Sequence, residues 1–179
     1  GYTLLMGSTA AVTEKNSAQF SPVALVSASP YVVTVSPAIN VNSIRSLIAY
    51  AKANPGKVRY GSSGPGSASH LAGELFASMA GVELLHVPYK GTGQALIDLL
   101  AGHIDLMFAP AQTVMPQIES GKLVALAQTG AKRSEALPGL PTIAESGLPG
   151  YSAVGWFGLF APANTPKAVV QKINKTVMF

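Results

Sequence analysis

Between Val58 and Met79 the sequence passes from a β-branched run, through a loop of unusual composition, into an apolar helical stripe. This passage restricts the fold more than any other part of the chain. Val58-Arg59-Tyr60 reads as a short strand. Gly61 to Ser69 then holds three Gly, four Ser and one Pro in nine positions, and Leu71, Leu75, Phe76 and Met79 follow at helical spacing. A Gly- and Ser-rich loop can turn backbone N–H groups inward, and the helix after it adds unpaired first-turn donors and a positive dipole end. The product is a small neutral cup for an anion. The loop has no Gly-Lys-Ser/Thr ending, Gly64-Pro65-Gly66 lacks the third glycine of a dinucleotide fingerprint, and the chain contains no Gly-x-Ser-x-Gly elbow. The same residues also describe an ordinary capped β–α turn, and on their own they leave both readings open.

The pattern recurs along the chain. Tyr2–Met6 reads as a strand followed by the small-residue turn Gly7–Ala10, and Pro22–Val26 and Tyr31–Val35 read as two strand segments separated by Ser27-Ala28-Ser29-Pro30. Asn42 or Ser43 caps a helix with the stripe Ile44, Leu47, Ile48, Ala51, which Asn54-Pro55-Gly56 stops. After the central unit come a strand at Glu83–Val87, a turn at Pro88–Gly93, a helix at Gln94–Ala101, a nearly all-apolar strand at His103–Phe108, a short helix at Val114–Ser120 and a strand at Leu123–Gln128. Alternating strands and helices predict a parallel sheet covered on both faces, with ligands beyond the carboxyl ends of the strands. The turns at Gly7–Ala10, Ser62–Ser67, Lys90–Gly93 and Ala109–Thr113 therefore fall at a binding edge. From Gly130 the chain turns Pro- and Gly-rich, then gives a strand at Tyr151–Phe160 and a last helix after Asn164-Thr165-Pro166. The shift near 129 and the strand pair at 22–35 read as two crossings between lobes: 1–35 and 129–179 carry the crossovers and parts of domain I, and 36–128 form domain II.

Charge excludes some functions. Only 11% of residues are charged, and the net charge of +4 is spread out. Residues 36–128 hold six Lys/Arg against five Asp/Glu and the remainder six against three, so there is no basic patch of the kind nucleic-acid binding requires. With no cysteine, disulfides, thiolate metal sites and cysteine nucleophiles are out. No His/Asp/Glu cluster has metal-ligand spacing, and no apolar run approaches the ~18 residues of a membrane span. No cofactor is expected, and the N-terminus lacks the charged region and cleavage site of a signal peptide.

Seven blocks in order carry a resemblance: Gly-Tyr-Thr-Leu-Leu-Met-Gly-Ser (1–8), Phe-Ser-Pro-Val-Ala-Leu-Val (20–26), Tyr-Gly-Ser-Ser-Gly-x-Gly-Ser-x-x-His-Leu-Ala-Gly-Glu (60–74), Val-Pro-Tyr-Lys-Gly (87–91), Ala-Gly-x-Ile-Asp-Leu-Met-Phe (101–108), Ser-Gly-Lys-Leu-x-Ala-Leu-Ala (120–127) and Leu-Pro-x-Leu-Pro-Thr-Ile-Ala-Glu-Ser-Gly (137–147). Together they closely resemble the substrate-binding receptors of tripartite tricarboxylate transporters, the Bug family. The resemblance implies an α/β, two-lobe, periplasmic-binding-protein-like (type II) architecture with mainly parallel sheets. Domain I is expected to be incomplete, because the family has a strand and a Pro-Gly-Gly loop upstream of the first block. It implies a periplasmic, monomeric, non-enzymatic receptor that holds a small mono-, di- or tricarboxylate between its lobes and delivers it to membrane transporter subunits, without metal or nucleic acid. The ligand contacts it implies are Ser8 and Thr9 of domain I, with Ser63, Gly66, Ser67, Gly91, Thr92 and Ala109 of domain II, and Ser62, Gly64 and Gly93 of the same turns join them as candidates.

The competing class is a serine hydrolase using Ser67 or Ser62 with His70, and Asp105 as third member. Against it, His70 in the first turn of the cup helix reads as a brace for the loop, Asp105 as an anchor for a neighbouring loop, and Lys90 as a solvent-facing lysine. His86 and His103 read as isolated residues.

Overall fold

The computed structural model describes residues 3–9, 11–13 and 15–178, so Tyr2 and Ala10 of the expected first strand and turn lie outside the described residues. The chain forms two units, a smaller one from Gly1–Ser29 and Gly155–Phe179 and a larger one from Pro30–Val154.

In the larger unit, β3 (Val58–Ser62) runs parallel to β4 (Leu84–Pro88) and to β5 (Leu106–Pro110). The second half of β2 (Phe20–Val35) lies antiparallel between β5 and β6 (Val124–Gln128), pairing Val32 with Ala109 on one side and with Gln128 on the other. The order is thus β6-β2-β5-β3-β4, with one reversed strand in an otherwise parallel sheet. Alternation along the central strands feeds two cores, which explains their unbroken apolar runs. Val33, Val35, Leu106 and Phe108 face one core with Tyr60, beneath α1 (Ile44–Ala53) and α2 (Ala68–Ala80). Val32, Met107 and Ala109 face the other, with Ala95 and Leu99 of α3 (Thr92–Leu100) and Val114 of α4 (Ala111–Glu119).

Local chemistry sets the helix ends. Ser43 and Ser46 form a reciprocal capping box on α1, and Gly81 closes α2 in the left-handed conformation. Gly73 of α2 sits directly over the Tyr60 ring, where a Cβ would run into it, so this helix packs closer to the sheet than any other residue there would permit. The irregular stretch after β6 is held by Gln128, which is fully buried. Its Nε2 donates to Leu137 O (3.0 Å) and Leu140 O (2.6 Å), and its Oε1 accepts from Ser134 N (2.7 Å). Ile143, Leu148 and Tyr151 then pack into the first core.

β2 differs from the expectation of two strand segments, being continuous for 16 residues through Ser27–Pro30. Proline lacks a ladder donor, and Pro30 sits just before the pairing with β5, which begins at Tyr31. The missing N–H therefore falls outside that ladder.

The smaller unit has β1 (Leu5–Gly7) antiparallel to β7 (Val154–Pro162), from Leu5 opposite Phe160 to Gly7 opposite Gly158, with the first half of β2 next in order. Helix α5 (Lys167–Val177) is tied to β2 by Asn174 Nδ2 donating to Val23 O (2.7 Å). Pro166 precedes α5 as its cap rather than occupying its first turn, and no side chain caps it.

Candidate anion-binding site

Parallel register brings the ends of the larger sheet's strands level. Ser62 pairs with Pro88, and Gly61 with Met107, so β3, β4 and β5 release their chains at one edge into the amino ends of α2, α3 and α4. The expected contacts Ser62, Ser63, Gly64, Gly66, Ser67, Gly91, Thr92, Gly93 and Ala109 all belong to these three turns or the strand ends feeding them. Ser8 and Thr9 belong to the smaller unit, in the turn after β1. There Ser8 O accepts from Ala11 N (2.9 Å) and Val12 N (3.0 Å), and the Thr9 Oγ1 is buried without a hydrogen-bond partner among the described residues.

The first turn is a serine network. Ser67 Oγ caps α2 by accepting from His70 N (3.3 Å) while donating to Gly64 O (2.6 Å), and it lies 3.0 Å from Ser69 Oγ. Ser69 Oγ accepts in turn from Ser63 N (3.0 Å) and lies 3.2 Å from Ser63 Oγ. Gly66, at φ +74°, supplies the left-handed bend and donates its N–H to His70 Nδ1 (3.2 Å). The hydroxyls thus shape the loop first. The first-turn N–H groups of Ala68 and Ser69 remain without partners among the described residues.

The second turn is joined to the first by Tyr89 N donating to Ser62 O (3.0 Å). Tyr89 also donates its hydroxyl to Asp98 Oδ2 (2.7 Å); burial, then this bond, pushes the phenol up to about 12, and the same bond holds Asp98 below its ordinary value. Neither α3 nor α4 has a side-chain cap: Gly91 and Pro110 occupy their cap positions. Two helix amino ends therefore offer unclaimed donors. In the third turn the Ala109 side chain is fully buried in the second core, so the accessible part of that turn begins at Pro110. Across Ser62–Ser67, Pro88–Gly93 and Ala109–Thr113 there is no acidic residue and a single cation, Lys90, which is exposed. Such an edge suits an anion held by dipoles and N–H groups.

His86 corrects the reading of it as isolated. Its Nε2 lies 2.7 Å from Ser62 Oγ, its ring stacks on Tyr60 (centroids 4.9 Å apart, planes at 25°), and the His70 ring is 4.2 Å away. Burial, then the neighbouring His70, pushes its pKa down. Only the parallel register, which sets His86 beside Tyr60, reveals this contact. His103 is not isolated either, lying 3.3 Å from Asp98.

The hydrolase constellation is not assembled. His70 accepts from Gly66 and caps nothing nucleophilic, while Asp105 lies at the start of β5, gripping Arg59 through its N–H (2.7 Å), Nε (3.0 Å) and Nη2 (2.8 Å). Arg59 Nη2 also donates to Gly102 O (3.1 Å), so Asp105 anchors the loop before β5. Ser62 is buried, its hydroxyl shared between His86 and Gly64.

Two other cavities are of another kind: one of 270 Å³ in the smaller unit, lined by Thr3, Leu4, Pro162, Val169 and Ile173 among others, and one of 360 Å³ in the larger unit between α4, β6 and Ala136–Leu140, are both mainly apolar.

Comparison with known proteins gives the family. A family model described as TctC, Tripartite tricarboxylate transporter family receptor, matches residues 1–178. A UPF0065 protein in the tcbD-tcbE intergenic region of Pseudomonas sp. (strain P51) is 38% identical over 187 residues, which cover 99% of this chain and 56% of that protein. Among solved structures, R. palustris Rpa4515 with adipate superposes with a TM-score of 0.91 at 37% identity, covering 99% of this chain and 62% of that one. The periplasmic binding protein BugD superposes at 0.85 with 38% identity, covering 97% and 61%. The chain thus spans about 56–62% of the length of these relatives. Its fold is that of the periplasmic binding proteins, and the chain belongs to the tripartite tricarboxylate transporter receptor family.

Proposed function

We propose that this chain is part of an extracytoplasmic solute receptor whose larger unit holds a small mono-, di- or tricarboxylate at the carboxyl edge of its sheet. The receptor acts as a monomer in the periplasm and hands the solute to the membrane subunits of a tripartite tricarboxylate transporter. No bond is made or broken. The observation that carries the reading is the meeting of three strand-to-helix turns at one edge, two of them leading into helices without side-chain caps, with no acidic residue among them. A carboxylate would take its hydrogen bonds from the first-turn N–H groups of α2, α3 and α4, with the serine network holding the first loop in shape. Ser63, Gly66, Ser67, Gly91 and Thr92 are the contacts this reading favours in the larger unit. Adipate in the relative Rpa4515 supports the ligand class.

Calorimetric titration with adipate, malate and citrate tests the reading. Each charge-assisted bond contributes about 1.5–3 kcal/mol, so saturable heat from at least one of these acids is expected, weakened at least tenfold by Thr92→Pro. No heat from any carboxylate would overturn it.

A further inference from the structure

Two imidazoles reach the first turn from different elements, and each meets a loop donor with a ring nitrogen. His70, on α2, accepts the Gly66 N–H at Nδ1 (3.2 Å), which requires that nitrogen to be unprotonated. His86, on β4, faces the Ser62 hydroxyl at Nε2 (2.7 Å), while the other acceptor of that hydroxyl, Gly64 O, is 3.3 Å away. With the Nε2 lone pair toward Ser62, the tautomer adopted in the proposal below, the hydroxyl is the donor to a neutral imidazole. Ser62 Oγ also accepts from Gly64 N (3.1 Å), so the pair holds the loop at Ser62, Gly64 and Gly66 together. The two rings lie 4.2 Å apart, too close for both to carry charge without strong repulsion.

We propose that His70 and His86 are positioning residues for the anion-binding loop, holding it through nitrogen lone pairs, so that a proton on either ring releases the loop and weakens carboxylate binding. This rests on the carboxylate-receptor reading. Among the described residues, the other titratable groups facing the pair are Tyr60 from β3, whose hydroxyl donates to Glu74, and Glu74 from α2, 3.9 Å from His70 Nε2. Burial, then His70, disfavours a proton on His86, against a smaller attraction from Glu74. Protonation turns His70 Nδ1 into a donor facing the Gly66 N–H, which breaks that bond. On His86 it forces the Ser62 proton away from the ring.

The test uses two substitutions that keep the acceptors in place without titrating. Asn Oδ1 stands where His Nδ1 does and Gln Oε1 near where His Nε2 does, giving His70→Asn and His86→Gln. Without any ligand, NMR titration of the chain between pH 7.5 and 5.5 is expected to move the Gly64 and Gly66 amide signals with the same midpoint as the imidazole signals. Imidazoles that titrate while those amides stay still would overturn the proposal. In the second arm, adipate affinity of the native chain is expected to fall roughly three- to tenfold more than that of the double variant over the same range, as for one or two lost hydrogen bonds, the comparison cancelling the proton that adipate itself begins to take up there. The double variant is expected to keep only the shallow pH dependence that the acid's own protonation gives, and a His103→Gln control to follow the native profile. Affinity that rises on acidification, or a double variant as pH-sensitive as the native chain, would overturn it. Should adipate not bind at any pH, the receptor reading fails on that arm, and the ligand-free titration still decides the role of the two histidines.

Discussion

Within this chain the two units enclose very different amounts of apolar surface. The larger one places two layers of helix on a sheet whose central strands are buried on both faces, with Val32, Val33, Val35, Tyr60, Phe76, Leu99, Leu106 and Phe108 all fully enclosed. The smaller one has Val23 and Ala161 as its buried hydrophobics among the described residues, and its helix α5 buries nothing completely. Leu4, Met6, Leu25 and Val26 stand exposed there. Since stability follows apolar area removed from water, the larger unit has the means to hold its loops rigid, and the smaller one has far less. The larger unit is therefore the one with a rigid frame for the proposed anion edge.

The sharpest way to break this contrast is to empty a core site in each unit. Phe76 is fully buried against Phe108 (centroids 5.9 Å apart). Phe76→Ala is expected to cost about 3–5 kcal/mol, read by urea denaturation followed by far-UV circular dichroism. Phe160 meets Phe20 edge-on and Trp156 at a tilt but is only half-buried, and Phe160→Ala is expected to cost about 1–2 kcal/mol, in proportion to the area it hides. Equal costs would mean that the smaller unit has an integrated core of its own.

Much of the larger unit was legible because its signals are local. Strands declared themselves as β-branched runs, and α1 and α2 by stripe and cap. The cup itself was visible in Gly64, Gly66 and Ser67, since positive φ and side-chain capping are demands that composition records. What stayed hidden depends on neighbours remote in sequence. The pairing of His86 with Ser62 follows from which residue of β4 lies beside Tyr60, and no spacing encodes that register. The reversed strand inside the parallel sheet was equally hidden, because a strand buried on both faces has the same apolar composition whichever way it runs. Pro30 misled for a related reason: its meaning depends on where the ladder starts.

A middle-sized effect is expected where the larger unit is clamped at its own boundary. Thr129, fully buried, accepts from Tyr31 N (2.8 Å) and donates to Ala153 O (2.6 Å), tying the start of β2's inner half to the approach to β7. Thr129→Val keeps the shape and deletes both bonds, so roughly 1–3 kcal/mol should be lost to the unpaired N–H and carbonyl, while Thr129→Ser should recover most of it. If Thr129→Val unfolds as the native chain does, the side-chain bonds add nothing, and the boundary is held by packing and by the backbone bonds from Thr129 N to Tyr31 O (2.9 Å) and from Ala153 N to Thr129 O (2.8 Å).

Acid separates the units differently, because His70, His86 and His103 all belong to the larger one. His86 has its folded pKa depressed by burial and by His70. Its neutral form therefore favours the folded state fully above about pH 6.5, and that contribution is lost as pH falls through the lower folded value. The urea midpoint read by circular dichroism is expected to drop between pH 7.5 and 5.5, and His86→Gln to flatten the drop. A transition confined to the smaller unit should not move over this range.

The smallest effect is the most discriminating, because the chain has one tryptophan and it lies in the smaller unit. Trp156 fluorescence thus reports that unit, while far-UV circular dichroism is dominated by the helices of the larger one. Ile173 of α5 lines the apolar cavity beside Thr3, Leu4 and Pro162 and is only half-buried. Ile173→Ala removes contacts that solvent already shares, so its cost should stay below about 1 kcal/mol, under the range for enclosed sites. If the two units differ in stability as their burial implies, the fluorescence transition precedes the dichroism transition in the native chain, and Ile173→Ala shifts the first without the second. Coincident curves in both proteins would show instead that one cooperative transition spans the chain, and that the continuous strand β2 couples the weakly packed unit to the strongly packed one.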